Sequence, residues 1–370
     1  MPSMRELAKT YPIGIDLNDG CLTAAQFRKG RRGPRVRGLL CRPLPAAFGA
    51  EAGEDKALVD ALKTVRSCGL FTGRRVVFNL PLQDLSFFPV HFPANPQEDP
   101  EEGILREASK FLSYPPDEAM IDYPSLFQIR GTCHANVVAA RRRVVDRWLV
   151  ILRRAGFTAE VMDFYVASLI RLHQRLFTPT DRADILCHLG RTCIMLAVLT
   201  GEGILSISEI SWGVQLLRDK IETNLALPAG GPEALTLLSA YGLGYMERGN
   251  IPEDMTDDRG LDEEARNIYR AIFQIISPSV NELAYECHNT IGYVRSVRDN
   301  VAFGTVYLYG LAGLISHLDR YLEEQVEIPV QLVDLKAHLD VAGSKAPILL
   351  SGEISPAPVL GLAMRDLPWL

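Results

Sequence analysis

Residues 11–30 read YPIGIDLNDGCLTAAQFRKG. Ile13, Ile15 and Leu17 alternate along a first arm, and Leu22 and Ala24 sit in a second, which is the side-chain period of strands. Asn18-Asp19-Gly20 supplies the turn between them, because Asn, Asp and Gly adopt positive φ at low cost. The stretch therefore reads as a β-hairpin. Asp16 ends its first strand beside a turn rich in backbone N–H groups, an arrangement suited to phosphate and Mg²⁺. Whether this hairpin holds a nucleotide depends on what the rest of the chain supplies.

Outward from the hairpin, 35-RVRGLLCR-42 reads as a third strand, 55–69 as a helix with Leu58, Leu62 and Val65 on one face, and 74-RRVVFNLP-81 as a strand ended by proline. Residues 82–136 break the pattern. They hold prolines at 89, 93, 96, 100, 115, 116 and 124, and a helix near 99–112 that Asp99 caps and Pro100 begins. This segment is expected to be an inserted subdomain. The chain resumes with a strand at 135–140, a helix at 144–155, a strand at 159–163 and a helix at 166–176. From residue 183, ADILCHLGRTCIMLAVL is again strand, Gly-containing turn and strand, followed by the strand 204-ILSISEI-210 and a helix from about 214 to 225. Helices are expected near 233–247 and 262–276. Ser279 and Glu282 have capping-box spacing after Pro278, which predicts a new helix running to about 297. A strand at 304–310, a helix at 314–325, a strand near 329–335 and a last helix at 356–365 complete the chain. A three-strand meander used twice, with crossover helices, implies two similar lobes with a cleft between them.

At 370 residues the chain is long enough for two domains, and 47% hydrophobic with 23% charged residues is ordinary for a globular protein. A net charge of −6 argues against nonspecific nucleic-acid binding as its main task. Seven scattered cysteines fit reduced thiols better than a disulfide framework. The opening MPSMRELAKTYP has no apolar core of a signal peptide, and no stretch approaches about 18 uninterrupted apolar residues, so neither a leader nor a membrane-spanning helix is expected.

Two lobes of this order, each opening with a hairpin, resemble the actin and sugar-kinase ATPase fold, an α/β, ribonuclease H-like, bilobed architecture. Within it the chain most resembles the type IV pilus assembly protein PilM family. GIDLNDGCLTAAQF resembles that family's first phosphate hairpin, GIDIGSSSIKLVEL, without a gap. EASKFLSYPPDEAMIDY resembles its EAxxYIPYPxEEVxLDY segment, the most distinctive match. VVAARRRVVDRWLVILRRAGFTAEVMDF, ELAYECHNTIGYV and PVLGLAMR resemble its middle, long C-terminal and closing segments. The resemblance implies a first lobe over 1–180 with a subdomain called 1C inserted at about 82–136, a second lobe over 181–350, and a C-terminal helix in 351–370 returning to the first lobe. It also implies a cytosolic protein that binds ATP with Mg²⁺ and holds the short cytosolic tail of an inner-membrane partner, PilN.

The resemblance places a nucleotide site on Asp16, Asn18, Asp19, Gly20 and Thr23 of the first hairpin, His188, Gly190 and Arg191 of the second, and Gly310 and Gly313 of the adenosine segment, with Asp16 as the metal ligand. Several of these residues are adverse. Asn18 stands where the family has Gly, Asp19 where it has Ser, and Thr23 where it has Lys. His188 replaces the second hairpin's Asp, and imidazole is a poor Mg²⁺ ligand. Leu311 and Ala312 add side chains where glycines are expected, Ser316-His317 replaces Pro-Gly, and Tyr165 replaces a Glu. The residues thus predict a scaffold or adaptor with a degenerate site, a pseudo-ATPase without catalytic residues. The alternatives are a nucleotide-binding conformational switch, a cytoplasmic component of a type II secretion platform, or a filament-forming actin homologue.

Other features have plainer readings. The basic run RKGRRGPRVR at 28–37 suits either a solvated turn or an anionic lipid or acidic partner. Arg141-Arg142-Arg143 starts a helix where the dipole disfavours cations, so surface ion pairing is expected. Cys187, His188 and Cys193 lack metal-ligand spacing, and Cys287 and His288 point to different sides of a helix. Acidic 253–264 reads as a solvated loop. Apolar 85-LSFFPVHF-92 reads either as a partner-binding strand or as core of the insertion.

Overall fold

A computed structural model describes residues 10–30, 33–44, 54–95, 97–244, 263–298, 300–335 and 354–367. The chain divides into two compact units, residues 1–179 with 202–207 and 334–370, and residues 180–201 with 208–333. In chain order the elements are β1 (Thr10–Asp16), β2 (Cys21–Gly30), β3 (Gly33–Pro43), α1 (Glu54–Ser67), β4 (Arg75–Asn79), β5 (Leu85–Pro93), α2 (Pro100–Ala108), β6 (Ala119–Ile129), β7 (Thr132–Arg141), α3 (Arg142–Arg154), β8 (Thr158–Asp163) and α4 (Tyr165–Leu176). They continue as β9 (Ala183–Leu189), β10 (Ile194–Thr200), β11 (Gly203–Ile210), α5 (Val214–Asn224), α6 (Glu233–Ala240), α7 (Glu263–Val297), β12 (Phe303–Gly310), α8 (Leu318–Val326), β13 (Val330–Leu332) and α9 (Ala357–Ala363).

Two five-stranded sheets share one order, β3-β2-β1-β4-β8 and β11-β10-β9-β12-β13. In each the opening hairpin is antiparallel, and the next strand joins it in parallel through a helical connection, β4 beside β1 and β12 beside β9. Ile13, Ile15 and Leu17 point to one face of the first sheet, where they bury against Leu58, Leu62 and Val65 of α1 and Trp148, Ile151 and Leu152 of α3. The opposite face of β1 lies against α9. There a Cβ on Gly14 would stand 2.8 Å from the backbone nitrogen of Ala363, and one on Gly361 would stand 1.8 Å from the carbonyl oxygen of Ser168 in α4. Only hydrogen side chains let a strand and two helices approach this closely. Asp163 at the end of β8 fixes the same region, its Oδ2 accepting from Arg171 at 3.0 Å and from Arg365 at 2.6 Å.

The insertion is a separate antiparallel sheet, β5-β7-β6, with α2 packed on it through Ile104 and Ala108. Asp99 caps α2 by accepting from the Glu101 amide at 3.0 Å, and Pro100 takes the first helical position, as its sequence predicts. The helix ends at Ala108, short of the expected 112. Val90 and Phe92 of β5 enter the insertion's core, so the core reading of 85–92 holds for that half, whereas Phe87 meets Phe164 with ring centroids 6.2 Å apart. Strand β6 is absent from the sequence reading. Its Pro124 lies within a register shift between Asp122 and Ser125, where a missing N–H breaks no ladder bond on an edge strand.

A second correction concerns the expected break at Pro278. The structure has one helix, α7, across it. Ile272, Ile276, Val280, Leu283, Cys287, Ile291 and Val294 form one buried stripe at helical spacing through the proline, and its packing outweighs the lost hydrogen bond. Ser279 does not cap. It is buried, and its Oγ accepts from Lys220 Nζ at 2.6 Å. Arg141 precedes α3 with its guanidinium 4.5 Å from the Tyr114 ring centre. The acidic stretch expected as a loop at 253–264 lies almost wholly outside the described residues.

The close approach at α9 yields a stability prediction. Gly361→Ala places a methyl against a fixed carbonyl, so it is expected to lower unfolding free energy by about 1–3 kcal/mol, read as a lower urea midpoint at unchanged slope. An unchanged midpoint would show that α9 does not hold this position.

Candidate functional site

In the first unit the candidate residues centre on the β1–β2 turn. Asp19 (φ 56°) and Gly20 (φ 69°) are both left-handed, and the Cys21 amide donates to the Asn18 carbonyl at 3.0 Å, which closes the turn the sequence predicts. Asp16 is only 4% exposed. Its Oδ1 accepts from Asn18 Nδ2 at 2.6 Å and from Asn79 Nδ2 at 3.0 Å. Asn18 Oδ1 in turn accepts from the Leu82 amide at 2.9 Å, and Asn79 Oδ1 accepts from Ser168 Oγ at 2.9 Å. Thr23 Oγ1 donates to the Asp16 carbonyl at 3.4 Å. The residue in the glycine position of the resemblance has thus turned its amide back onto the carboxylate. A chain of side-chain bonds runs from the entry to the insertion, through Asn18, Asp16 and Asn79, to α4.

Burial pushes the Asp16 carboxyl up to about 6, the amides of Asn79 and Asn18 oppose that rise, and the charge of Asp19 adds to it. Cys41 packs nearby, and burial, with Cys21 and Asp16 close, pushes its thiol up to about 12. Asn79 and Ser168 were missed in the sequence reading. Asn79 offered a signal, since a polar residue closes the apolar run VVFN, and it is fully buried.

In the second unit the candidate residues lie on the β9–β10 turn and the end of β12. His188 is 1% exposed, paired in register with Met195 and with Tyr309. Its ring lies against Gly310, which is left-handed (φ 81°); a Cβ there would be 2.9 Å from His188 Nε2 and 2.3 Å from the Leu189 carbonyl oxygen. Gly310 is therefore required by the imidazole beside it. The Gly190 amide donates to the Cys193 carbonyl at 2.9 Å. The Gly190 and Arg191 carbonyls accept from the Val214 and Gln215 amides at 3.1 and 2.9 Å, so the first N–H groups of α5 are spent on the turn itself. Gly313 is exposed, and a Cβ there would find only ordinary contact with Leu332, so nothing in the packing demands a glycine. Leu311 and Ala312 turn their side chains into buried positions, and Tyr165 is buried in the first turn of α4.

The structure thus gathers Asp16, Asn18 and Thr23 with Asn79 in one unit, and His188, Gly190 and Gly310 in the other. Mg²⁺ with a triphosphate needs open carboxylate oxygens and free backbone N–H groups. In the first unit two amides already point at Asp16 Oδ1, and in the second an imidazole stands in the carboxylate's place while the helix amides are engaged. Neither unit by itself offers that donor set. Among the described residues no cluster of three or more His, Cys, Asp or Glu side chains is arranged to hold a metal ion. No helix among them is long and apolar enough to cross a membrane.

No family model and no curated protein matches the chain. Solved structures do. A PilM–PilN type IV pilus biogenesis complex matches with a TM-score of 0.70 at 22% identity, covering 96% of this chain and 98% of the other. The ethanolamine utilization protein EutJ from Carboxydothermus hydrogenoformans matches with a TM-score of 0.51 at 11% identity, covering 98% and 90%. Identities this low carry the fold alone. Together with the repeated sheet order and the insertion, they give the actin-like ATPase fold.

Proposed function

We propose that the chain is a PilM-like scaffold or adaptor of a type IV pilus or related inner-membrane assembly platform, holding the short cytosolic tail of a PilN-like partner. The former nucleotide site serves as a structural clasp. The observation that carries the clasp is the buried Asp16 oxygen with two amide donors already on it. The adaptor reading is supported by the likeness to a protein solved as a PilM–PilN complex. It is supported too by the distribution of exposed apolar side chains. Among the described residues these include Leu105 and Phe111 beside α2 and Met120 and Leu126 on β6, an edge strand of the insertion. An edge strand flanked by apolar side chains is suited to an extended peptide. In this reading the partner supplies one link to the membrane.

Three measurements test this. Millimolar Mg-ATP is expected to leave the thermal midpoint unchanged; a saturable rise would favour the nucleotide switch instead. The proton on Asp16 gives a pH signature. Its carboxyl titrates near 3.8 in an unfolded chain and near 6 when folded, so the native state binds the proton more tightly. This group costs no stability below about pH 4, costs progressively more as pH rises toward 6, and costs its full amount, about 3 kcal/mol, above that. Asp16→Asn keeps an oxygen for both amides and loses the charge, so its stability relative to the parent should climb between pH 4 and 7 in urea titrations. A parent whose pH profile parallels the variant's contradicts the clasp. Finally, Met120→Asp with Leu126→Asp is expected to weaken binding of a fluorescent PilN-like tail peptide at least about tenfold. Equal affinity in a folded double variant removes the insertion from the binding site.

A further inference from the structure

One end of the first unit collects cations from separate segments. The β2–β3 hairpin ends there with Arg28 and Lys29 on one strand and Arg35 on the other, in register with Arg28. Thr10, also paired with Arg28, begins β1 at this end. Arg74 and Arg75 lead into β4, and the Thr158 amide that begins β8 donates to the Arg74 carbonyl at 2.8 Å. Helices α1 and α3 both finish here, with Arg66 on one and Arg153 and Arg154 on the other, and Arg66 Nη1 donates to the Ala155 carbonyl at 3.4 Å. Gln26 ties the Tyr11 carbonyl to Thr72, so hairpin and β4 entry form one continuous edge. All eight cations named are exposed.

Among the described residues the carboxylates on this edge are Glu160 and Asp366, and both are engaged by Arg75. Arg28, Lys29, Arg74, Arg153 and Arg154 form no ion pair among the described residues. Lys29 instead lies 5.8 Å from the Tyr11 ring centre. Helix dipoles account for Arg66, Arg153 and Arg154 at helix C-termini, but the hairpin and Arg74 have no helix end to complement. The whole chain carries −6, so this edge is a local reversal of sign, and the remainder is more acidic than the total.

We infer that this edge is a docking surface for the anionic phospholipid headgroups of a membrane, made by the protein directly and independent of its reading as a peptide adaptor. Cations exposed on several segments at once suit an extended anionic surface, because many headgroups can meet them together. The chain's net charge of −6 weighs against a long nucleic acid. Each basic group within a Debye length of an anionic leaflet raises partitioning roughly fivefold.

Flotation of the full chain with vesicles tests this. Binding is expected to vesicles of phosphatidylcholine containing roughly 30% phosphatidylglycerol at about 0.1 M salt, to fall away at about 0.5 M salt, and to be absent for phosphatidylcholine alone. Arg28→Glu with Lys29→Glu, and separately Arg153→Glu with Arg154→Glu, should each reduce partitioning at least about tenfold. Arg142→Glu with Arg143→Glu makes the same charge change at the far end of α3, about 18 Å away, and should leave it unchanged. Circular dichroism melts confirm that each variant is folded. Absent binding by the folded parent, equal binding to neutral vesicles, or equal loss in the Arg142/Arg143 variant overturns the inference. So does tighter binding to a single-stranded RNA than to the vesicles at the same salt, which would mark the edge as a nucleic-acid surface.

Discussion

A carboxyl group buried in an apolar sheet has to be neutral, paired or fully hydrogen-bonded, and Asp16 meets that demand through two amides. Much of the first unit hangs on this. Asn18 spans from the hairpin turn to the chain entering the insertion, and Asn79 spans from the end of β4 to α4. Asp16 is the centre of a side-chain network joining three segments distant in sequence. The Asn18 side chain provides one of the two amides that make its burial tolerable.

The second unit buries a polar side chain with different atoms. The imidazole is that of His188, and the left-handed glycine at 310 gives it room. The turn's carbonyls then use the helix amides that an anion would need. Both sheets need their hairpin turns whatever the ligand: left-handed Asp19-Gly20 closes the first, and the Gly190 amide on the Cys193 carbonyl closes the second.

Legibility in the sequence followed the same division. The two hairpins, their repetition and the capped helix at 100 were readable because alternation, turn residues and caps are local signals. Strand β6 was hidden because its Pro124 sits at a bulge on an edge, where the rule against proline in sheets does not apply. The continuity of α7 was hidden because Pro278 and Ser279 are a strong local start signal, overruled by a buried stripe whose partners lie elsewhere in the chain. At the site, the adverse residues were visible singly, but not that Asn18 and Asn79 converge on one oxygen. Such convergence depends on β1 and β4 being parallel neighbours, a fact of topology.

The packing of α9 also bears on the order in which the molecule can be finished. Strand β1 leaves the ribosome long before the helix that covers its Gly14 face, which comes from residues 357–363. The second unit draws its segments from residues 180–201 and 208–333 and has all of them about 30 residues before α9 is finished. Until α9 is synthesised, the apolar face of the first sheet and the surface of α4 beside Ser168 stay open to water. The nascent protein therefore passes through a stage in which one unit has all its segments and the other does not, because the contact between β1 and α9 joins segments made far apart in time.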